Sequence, residues 1–332
     1  MKISTEKYIL SLCMAVIGLF LAAGTVSAQI YVSQNGATNG SVLIFGLSGG
    51  STPTGTLASG ATGGLSTNTY GLSLDAAGNV YVADFSHQAV REYTSGGTQI
   101  GNPLINGGGS NTAFQAAVTS TNIYVAYYAT GVVTKYNSSP TPGTGVNVVM
   151  GLGASSADGL ALDPTGTFLY VLDRANAVTG AANVGRLNIA TGVYTGGFIS
   201  GLTKVSGITT DPAGNIYVAT DGGVGNTDVI TVFPSTGGTI TAGTLFRGGL
   251  NDPYGMSVFD GYLYVANSGT KSVGKFLLSD GTVGSTTFIS GLAQLDFGLV
   301  VIPEPSSVAL LCIGGMAFAC FKTRRMLRKK AV

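Results

Sequence analysis

One strand-turn-strand unit recurs along most of the 332-residue chain, and it restricts the fold more than any other feature. Its clearest copy runs Gly207-Ile208-Thr209-Thr210-Asp211-Pro212-Ala213-Gly214-Asn215-Ile216-Tyr217-Val218-Ala219. Gly207 to Thr210 reads as a strand. Asp-Pro-x-Gly then makes a tight turn, because proline pre-sets φ at the second position and glycine accepts positive φ. Ile216 to Ala219 returns antiparallel.

The Tyr-Val pair of the second strand stands at Tyr31, Tyr81, Tyr124, Tyr170, Tyr217 and Tyr264, at intervals of 50, 43, 46, 47 and 47 residues. First strands precede five of the six pairs, at Tyr70 to Leu74, Phe114 to Val118, Asp158 to Leu162, Ser206 to Thr210 and Tyr254 to Val258. The sixth lies at the far end, where Phe297-Gly298-Leu299-Val300-Val301 has the same pattern and no Tyr-Val strand after it. Third strands read at Val42, Val90, Val132, Val184, Val229 and Val273, and weaker fourth strands at Val146 to Met150 and Thr282 to Ile289. A period of 40 to 50 residues with several short strands is the mark of propeller blades. The fold class is therefore all-β, a six-bladed β-propeller over residues 29–302. The C-terminal strand, about 297–301, completes the blade begun at Ile30, so that neither end leaves an unpaired edge.

Composition narrows the partners. Glycine is 52 of 332 residues and charged residues are 9%, as many tight turns and a sparsely charged surface require. Between Gln29 and Pro305 stand eight Lys/Arg against fourteen Asp/Glu, a net of about −6, which excludes the basic footprint of a nucleic-acid binder. Cations, sugars or basic partners fit better. Cys13, Cys312 and Cys320 all fall in the terminal apolar segments, so the propeller has neither a disulfide nor a cysteine-based zinc site.

Met1 to Ala28 has the parts of a signal peptide: Lys2 and Lys7, an apolar run from Tyr8, and Val26-Ser27-Ala28 ahead of cleavage between Ala28 and Gln29. An uncleaved anchor is the other reading, and both export the propeller. After Ile302 come Pro303-Glu304-Pro305, an uncharged run at 308–321 expected as a hydrophobic helix, and six basic residues. Fourteen helical residues span about 21 Å, short of a hydrocarbon core of about 30 Å, so this is a marginal anchor with a cytoplasmic basic tail.

These segments resemble known families. The run 303–332 resembles a PEP-CTERM sorting signal. That implies an exosortase-type enzyme that recognises Pro303, Glu304 and Pro305, a transient stay in the inner membrane, and release to the cell surface or exopolysaccharide matrix of a Gram-negative bacterium. A plain C-terminal anchor is the alternative. The repeats resemble the NHL-type and related six-bladed propellers, with Gly-apolar-x-apolar-Asp-x-x-Gly-Asn-apolar-Tyr-Val-Ala-Asp best matched at Gly71 to Asp84 and Gly207 to Ala219. The match is poorest near Phe114, where Thr119-Ser120-Thr121-Asn122 replaces the Asp turn.

Candidate sites follow from the topology. Asp75, Asp163, Asp211 and Asp260 follow the first strands with Gly78, Gly166, Gly214 and Gly261, as turn chemistry requires. The opposite face collects the residues that open the innermost strands: Tyr70, Phe114, Asp158, Ser206, Tyr254 and Phe297. Tyr70, Phe114, Tyr254 and Phe297 form either a stacking platform for sugar rings or packing between blades. Asp158 and Asp296 are the candidates for a divalent cation such as Ca²⁺, held by oxygen ligands near the axis. Asp84, Asp173 and Asn267 end second strands as loop caps or as further ligands. His87, the single histidine, reads as a loop residue. No residue is assigned a catalytic role.

Two functions stay open. One is an exported, non-catalytic binding or structural component of the cell surface or matrix, meeting polysaccharide or surface proteins. The other is a metal-dependent lactonase- or esterase-like propeller enzyme, for which the expected axial mixture of Glu, Asn and Asp is weak. Glu92 is the one glutamate of the propeller, and it falls on a third strand away from the axis.

Overall fold

The computed structural model describes residues 28–303 apart from 37–39, 61–63, 108–110, 139–141, 154, 175–181, 221–227 and 294, and apart from the side chains at 102–103, 240 and 295–297. The expected leader and nearly all of the expected sorting segment lie outside the described residues. Gln29–Ile302 forms one compact unit.

Six sheets make up this unit, each ordered from the axis outward and antiparallel except where Gly238–Thr239 adds a short parallel strand outside Tyr194–Leu202. Blade I is Leu295–Ile302, Gln29–Gln34, Ser41–Gly46 and Gly55–Ser59, and blade II is Thr69–Leu74, Val80–Asp84, Ala89–Tyr93 and Gln99–Asn106. Blade III is Ala113–Val118, Asn122–Tyr127, Val132–Asn137 and Val146–Val149. Blade IV is Ala157–Leu162, Phe168–Asp173, Ala182–Asn188 and Tyr194–Leu202, and blade V is Val205–Thr210, Ile216–Thr220, Val229–Phe233 and Thr244–Arg247. Blade VI is Pro253–Phe259, Tyr262–Asn267, Ser272–Leu277 and Val283–Ile289. The protein is a six-bladed β-propeller.

The ends meet as the missing first strand requires. Leu295–Ile302 pairs antiparallel with Gln29–Gln34 through Gln29↔Ile302, Ile30↔Val301, Tyr31↔Val300 and Val32↔Leu299. Side chains of the last strand alternate between neighbours, as the two-residue period of a strand dictates. Val300 packs with Leu72 and Val82 of blade II, whereas Leu299 and Val301 pack with Tyr264 and Val273 of blade VI. Six apolar clusters result, one at each interface from I/II round to VI/I. The tyrosine of each Tyr-Val pair is at most 3% exposed and faces the following blade, which explains why it recurs.

Turn chemistry holds the face where innermost strands end. Asp211 accepts the amide of Asn215 on Oδ1 at 2.8 Å, and Gly214 has φ of 87°. Asp75 and Asp163 accept amides in the same way. Where blade III lacks the aspartate, the Thr119 hydroxyl takes over and accepts the amide of Asn122 at 3.0 Å. Blade VI differs: Asp260 and Gly261 both have positive φ and form a two-residue hairpin between Phe259 and Tyr262.

Near the axis, the glycine of the repeat has a second role. A methyl group at Gly207 would stand 1.9 Å from the Tyr254 carbonyl oxygen, so only glycine lets the innermost strands of blades V and VI approach this closely. Blade III carries Gln115 instead, whose Nε2 donates to the Leu72 carbonyl of blade II at 3.1 Å. Among the described residues no helix is long and apolar enough to cross a membrane, and 308–321 lies outside them.

Candidate functional site

Two register positions deliver side chains to the face where the innermost strands begin. One is the residue before the axial glycine or its substitute, which gives Tyr70, Phe114, Asp158, Ser206 and Tyr254. The other is the fourth residue after each Tyr of Tyr-Val: Asn35, Phe85, Tyr128, Arg174 and Ser268, with Asp221 outside the described residues. The second strand ends there, so this residue enters the loop above the channel mouth. An axial cavity of about 230 Å³ lies beneath, lined by Leu72, Phe114, Asp158, Leu160, Ser206, Ile208, Tyr254 and Met256 among others.

Blades II and III contribute a continuous aromatic cluster. Tyr70 stacks on Phe114 with ring centroids 4.9 Å apart, and Phe114 stacks on Tyr128 at 5.4 Å, both pairs inclined by 25°. Phe85 stands edge-on to Tyr70 at 4.6 Å and to Phe114 at 6.3 Å. Phe114 is buried, whereas Tyr70, Phe85 and Tyr128 are half-buried and keep part of their rings open. Each such pair contributes about 0.5–1.5 kcal/mol beyond area burial, so the cluster is a fixed surface. The structure thus brings Tyr70 and Phe114 together and adds Phe85 and Tyr128, which sequence reasoning missed. Tyr254 belongs to the other side of the mouth, and the Phe297 side chain lies outside the described residues.

Blade IV places a charged pair beside this surface. Arg174 Nη1 donates to Asp158 Oδ2 at 3.3 Å; the Asp158 side chain is 1% exposed and that of Arg174 is 31% exposed. Among the described residues, Asp158 Oδ1 has no hydrogen-bond partner. Desolvation raises the Asp158 carboxyl from 3.8 to about 7, with Arg174 opposing the rise and Asp173 adding to it. For Arg174 desolvation acts downward and is the largest single influence, but Asp158, Tyr254 and Tyr128 together outweigh it and leave the guanidinium raised. The channel mouth therefore runs from aromatic rings on blades II and III to an ion pair on blade IV.

The other polar candidates have partners of their own. Asp84 is fully buried and accepts from the Ser66 amide at 3.1 Å and from Arg91 Nε at 2.7 Å, and it contacts His87 Nδ1 at 2.9 Å, so it holds two loops in place. Asp173 accepts from Asn183 Nδ2 at 3.0 Å, and its carboxyl is raised by burial. Ser206 Oγ donates to the Pro253 carbonyl at 2.5 Å. Glu92 accepts from Asn79 Nδ2 at 3.0 Å on a third strand, and burial raises its pKa. Among the described residues no three His, Cys, Asp or Glu side chains gather as metal ligands. The Asp296 side chain lies outside the described residues, so of the two proposed cation ligands only Asp158 has a described place, at the channel mouth with Arg174 against it.

No protein-family model matches the sequence, and no curated protein does. Solved structures do match. A chain of the nidogen/laminin complex superposes with a TM-score of 0.65 at 14% identity, over 83% of this chain and 98% of that one. The PQQ-bound aldose sugar dehydrogenase from Streptomyces coelicolor gives 0.50 at 13% identity, over 65% and 79%. Hydrazine synthase from Kuenenia stuttgartiensis gives 0.52 at 15%, over 72% and 71%. The likeness is one of fold. A laminin complex and a sugar dehydrogenase share it, so the fold leaves binding and enzymatic functions equally open.

Proposed function

We propose that this protein is an exported propeller that serves as a non-catalytic binding component of the cell surface or exopolysaccharide matrix. The observation that carries this reading is the aromatic surface of Tyr70, Phe85, Phe114 and Tyr128 at the channel mouth. Flat rings held rigidly by one another and left partly open suit the apolar face of a sugar. The terminal segments support the same address: the signal-peptide pattern of 1–28 directs export, and Pro303-Glu304-Pro305 with its apolar run and basic tail supports sorting by an exosortase-type enzyme. The NHL-like repeat pattern belongs to the same reading. The test is capture of bacterial exopolysaccharide by the immobilised protein, compared with Tyr70→Ala/Tyr128→Ala. Capture that falls at least tenfold in the variant supports the proposal, and capture that is equal in both refutes the aromatic surface.

A divalent cation at the axis, serving a lactonase- or esterase-like activity, is the second reading. The buried Asp158 Oδ1 favours it, being an oxygen acceptor without a hydrogen-bond partner among the described residues. Metal analysis of the purified protein, followed by lactone hydrolysis with and without chelator, separates the two. Stoichiometric metal and chelator-sensitive turnover would replace the binding reading.

A further inference from the structure

The channel mouth has an unmet hydrogen-bonding requirement. Asp158 is 2% exposed, its Oδ2 is engaged by Arg174, and its Oδ1 has no partner among the described residues. A buried acceptor without a donor is destabilising, so this oxygen fits a donor that the described chain does not supply. Asp158 lines the axial cavity. Against it stands Arg174, a long side chain 31% exposed, whose Nη1 reaches Asp158 Oδ2 at 3.3 Å.

The surroundings define the chemistry of that donor. Arg174 lies within electrostatic reach of Tyr128 and Tyr254, and Tyr128 belongs to the stack that runs through Phe114 to Tyr70. A carboxylate that accepts beside a guanidinium that donates matches two adjacent hydroxyls, one donating and one accepting. The neighbouring rings take the C–H face of the same molecule. An ionised Asp158 cancels Arg174, and the segment from Gln29 to Pro305 is about −6, which disfavours an acidic sugar. A bare cation is disfavoured by the guanidinium already held on Oδ2.

We infer that this mouth binds a neutral pyranose unit of a polysaccharide. One ring hydroxyl donates to Asp158 Oδ1, a second accepts from Arg174, and the apolar face of the sugar lies on Tyr128 and its neighbours. The inference rests on the binding reading and names the ligand of that same site.

The test is saturation-transfer NMR on the full chain, held in a detergent with no sugar headgroup. The probes are methyl glucopyranoside, methyl galactopyranoside and methyl mannopyranoside, with glucuronate and CaCl₂ as separate arms. The expected result is transfer to at least one pyranoside at millimolar affinity, weakened at least tenfold in Asp158→Asn and in Arg174→Gln. Asp280→Asn, an exposed turn residue on the opposite face, should bind as the unmodified protein does. Asp158→Asn removes a buried charge and is expected to fold, and its thermal transition is recorded alongside. No transfer to any pyranoside, equal transfer in Asp158→Asn, or tighter binding of glucuronate or Ca²⁺ at this site would each overturn the inference. Polysaccharide capture that survives in Asp158→Asn overturns the inference and leaves the binding reading standing. A pyranoside signal without capture of any polysaccharide supports the site and overturns the matrix reading alone.

Discussion

Asp158→Asn is expected to stabilise the unliganded protein, and to do so more at high pH. Burial holds the native carboxyl near pH 7, against an ordinary value of 3.8. Between these values the native state binds more protons than the unfolded state, so stability falls as pH rises from about 4 to about 7 and the penalty is complete above that. Each pH unit of the interval is worth about 1.4 kcal/mol, giving a penalty of about 4 kcal/mol at pH 8, about 2 kcal/mol at pH 5 and nearly none at pH 3. Asparagine keeps the shape and an acceptor for Arg174 without the charge. For a domain this large each kcal/mol moves the melting temperature by about 2 °C, so calorimetry should show a gain of about 8 °C at pH 8 and about half that at pH 5. A gain that is absent at pH 8, or equal at both pH values, would refute the reasoning, because it would mean that Arg174 and solvent together offset the desolvation of the carboxylate in the folded protein.

Two further outcomes test the architecture. Deleting residues 295–302 removes the closing strand and uncovers the cores of two interfaces at once; burial of Leu299, Val300 and Val301 alone is worth about 5 kcal/mol, so the truncated chain should lose its cooperative thermal transition by circular dichroism. Gly207→Ala forces a methyl group against the Tyr254 carbonyl oxygen and should lower stability by about 2 kcal/mol or more in urea unfolding, whereas Gly166→Ala meets only the strain of its positive φ and should cost about 1 kcal/mol.

Blade number, order and ring closure were legible because each rests on a physical need repeated six times. Tyr81 and its counterparts recur because every interface requires a large buried ring, and Asp211 with Gly214 recurs because the hairpin requires an amide acceptor and a positive φ. The closing strand was legible because five first strands preceded six second strands. The site was only half legible, and for the converse reason. Tyr70, Phe114 and Asp158 are marked by the glycine or glutamine that follows them, but Phe85, Tyr128 and Arg174 occupy a position whose residue differs in every copy. Counting four residues beyond each Tyr of Tyr-Val would have found them. Repetition signals what the fold needs, and the positions that vary at fixed register mark where this chain differs from a bare scaffold. The opposite face shows the same division, since Asp260 reads as one more turn aspartate yet takes the left-handed conformation itself, in a hairpin two residues long.

The central claim is that the ligand site lies on the face where the innermost strands begin, across blades II to IV. Hydrogen-exchange mass spectrometry of the protein with and without a soluble exopolysaccharide tests it most directly. The account predicts slowed exchange in peptides covering 84–89, 127–131 and 156–174, with no change in the turns at 75–79, 119–122 and 211–215. Slowed exchange confined to those turns or to the outermost strands, or no change anywhere while the polysaccharide is bound, would contradict it.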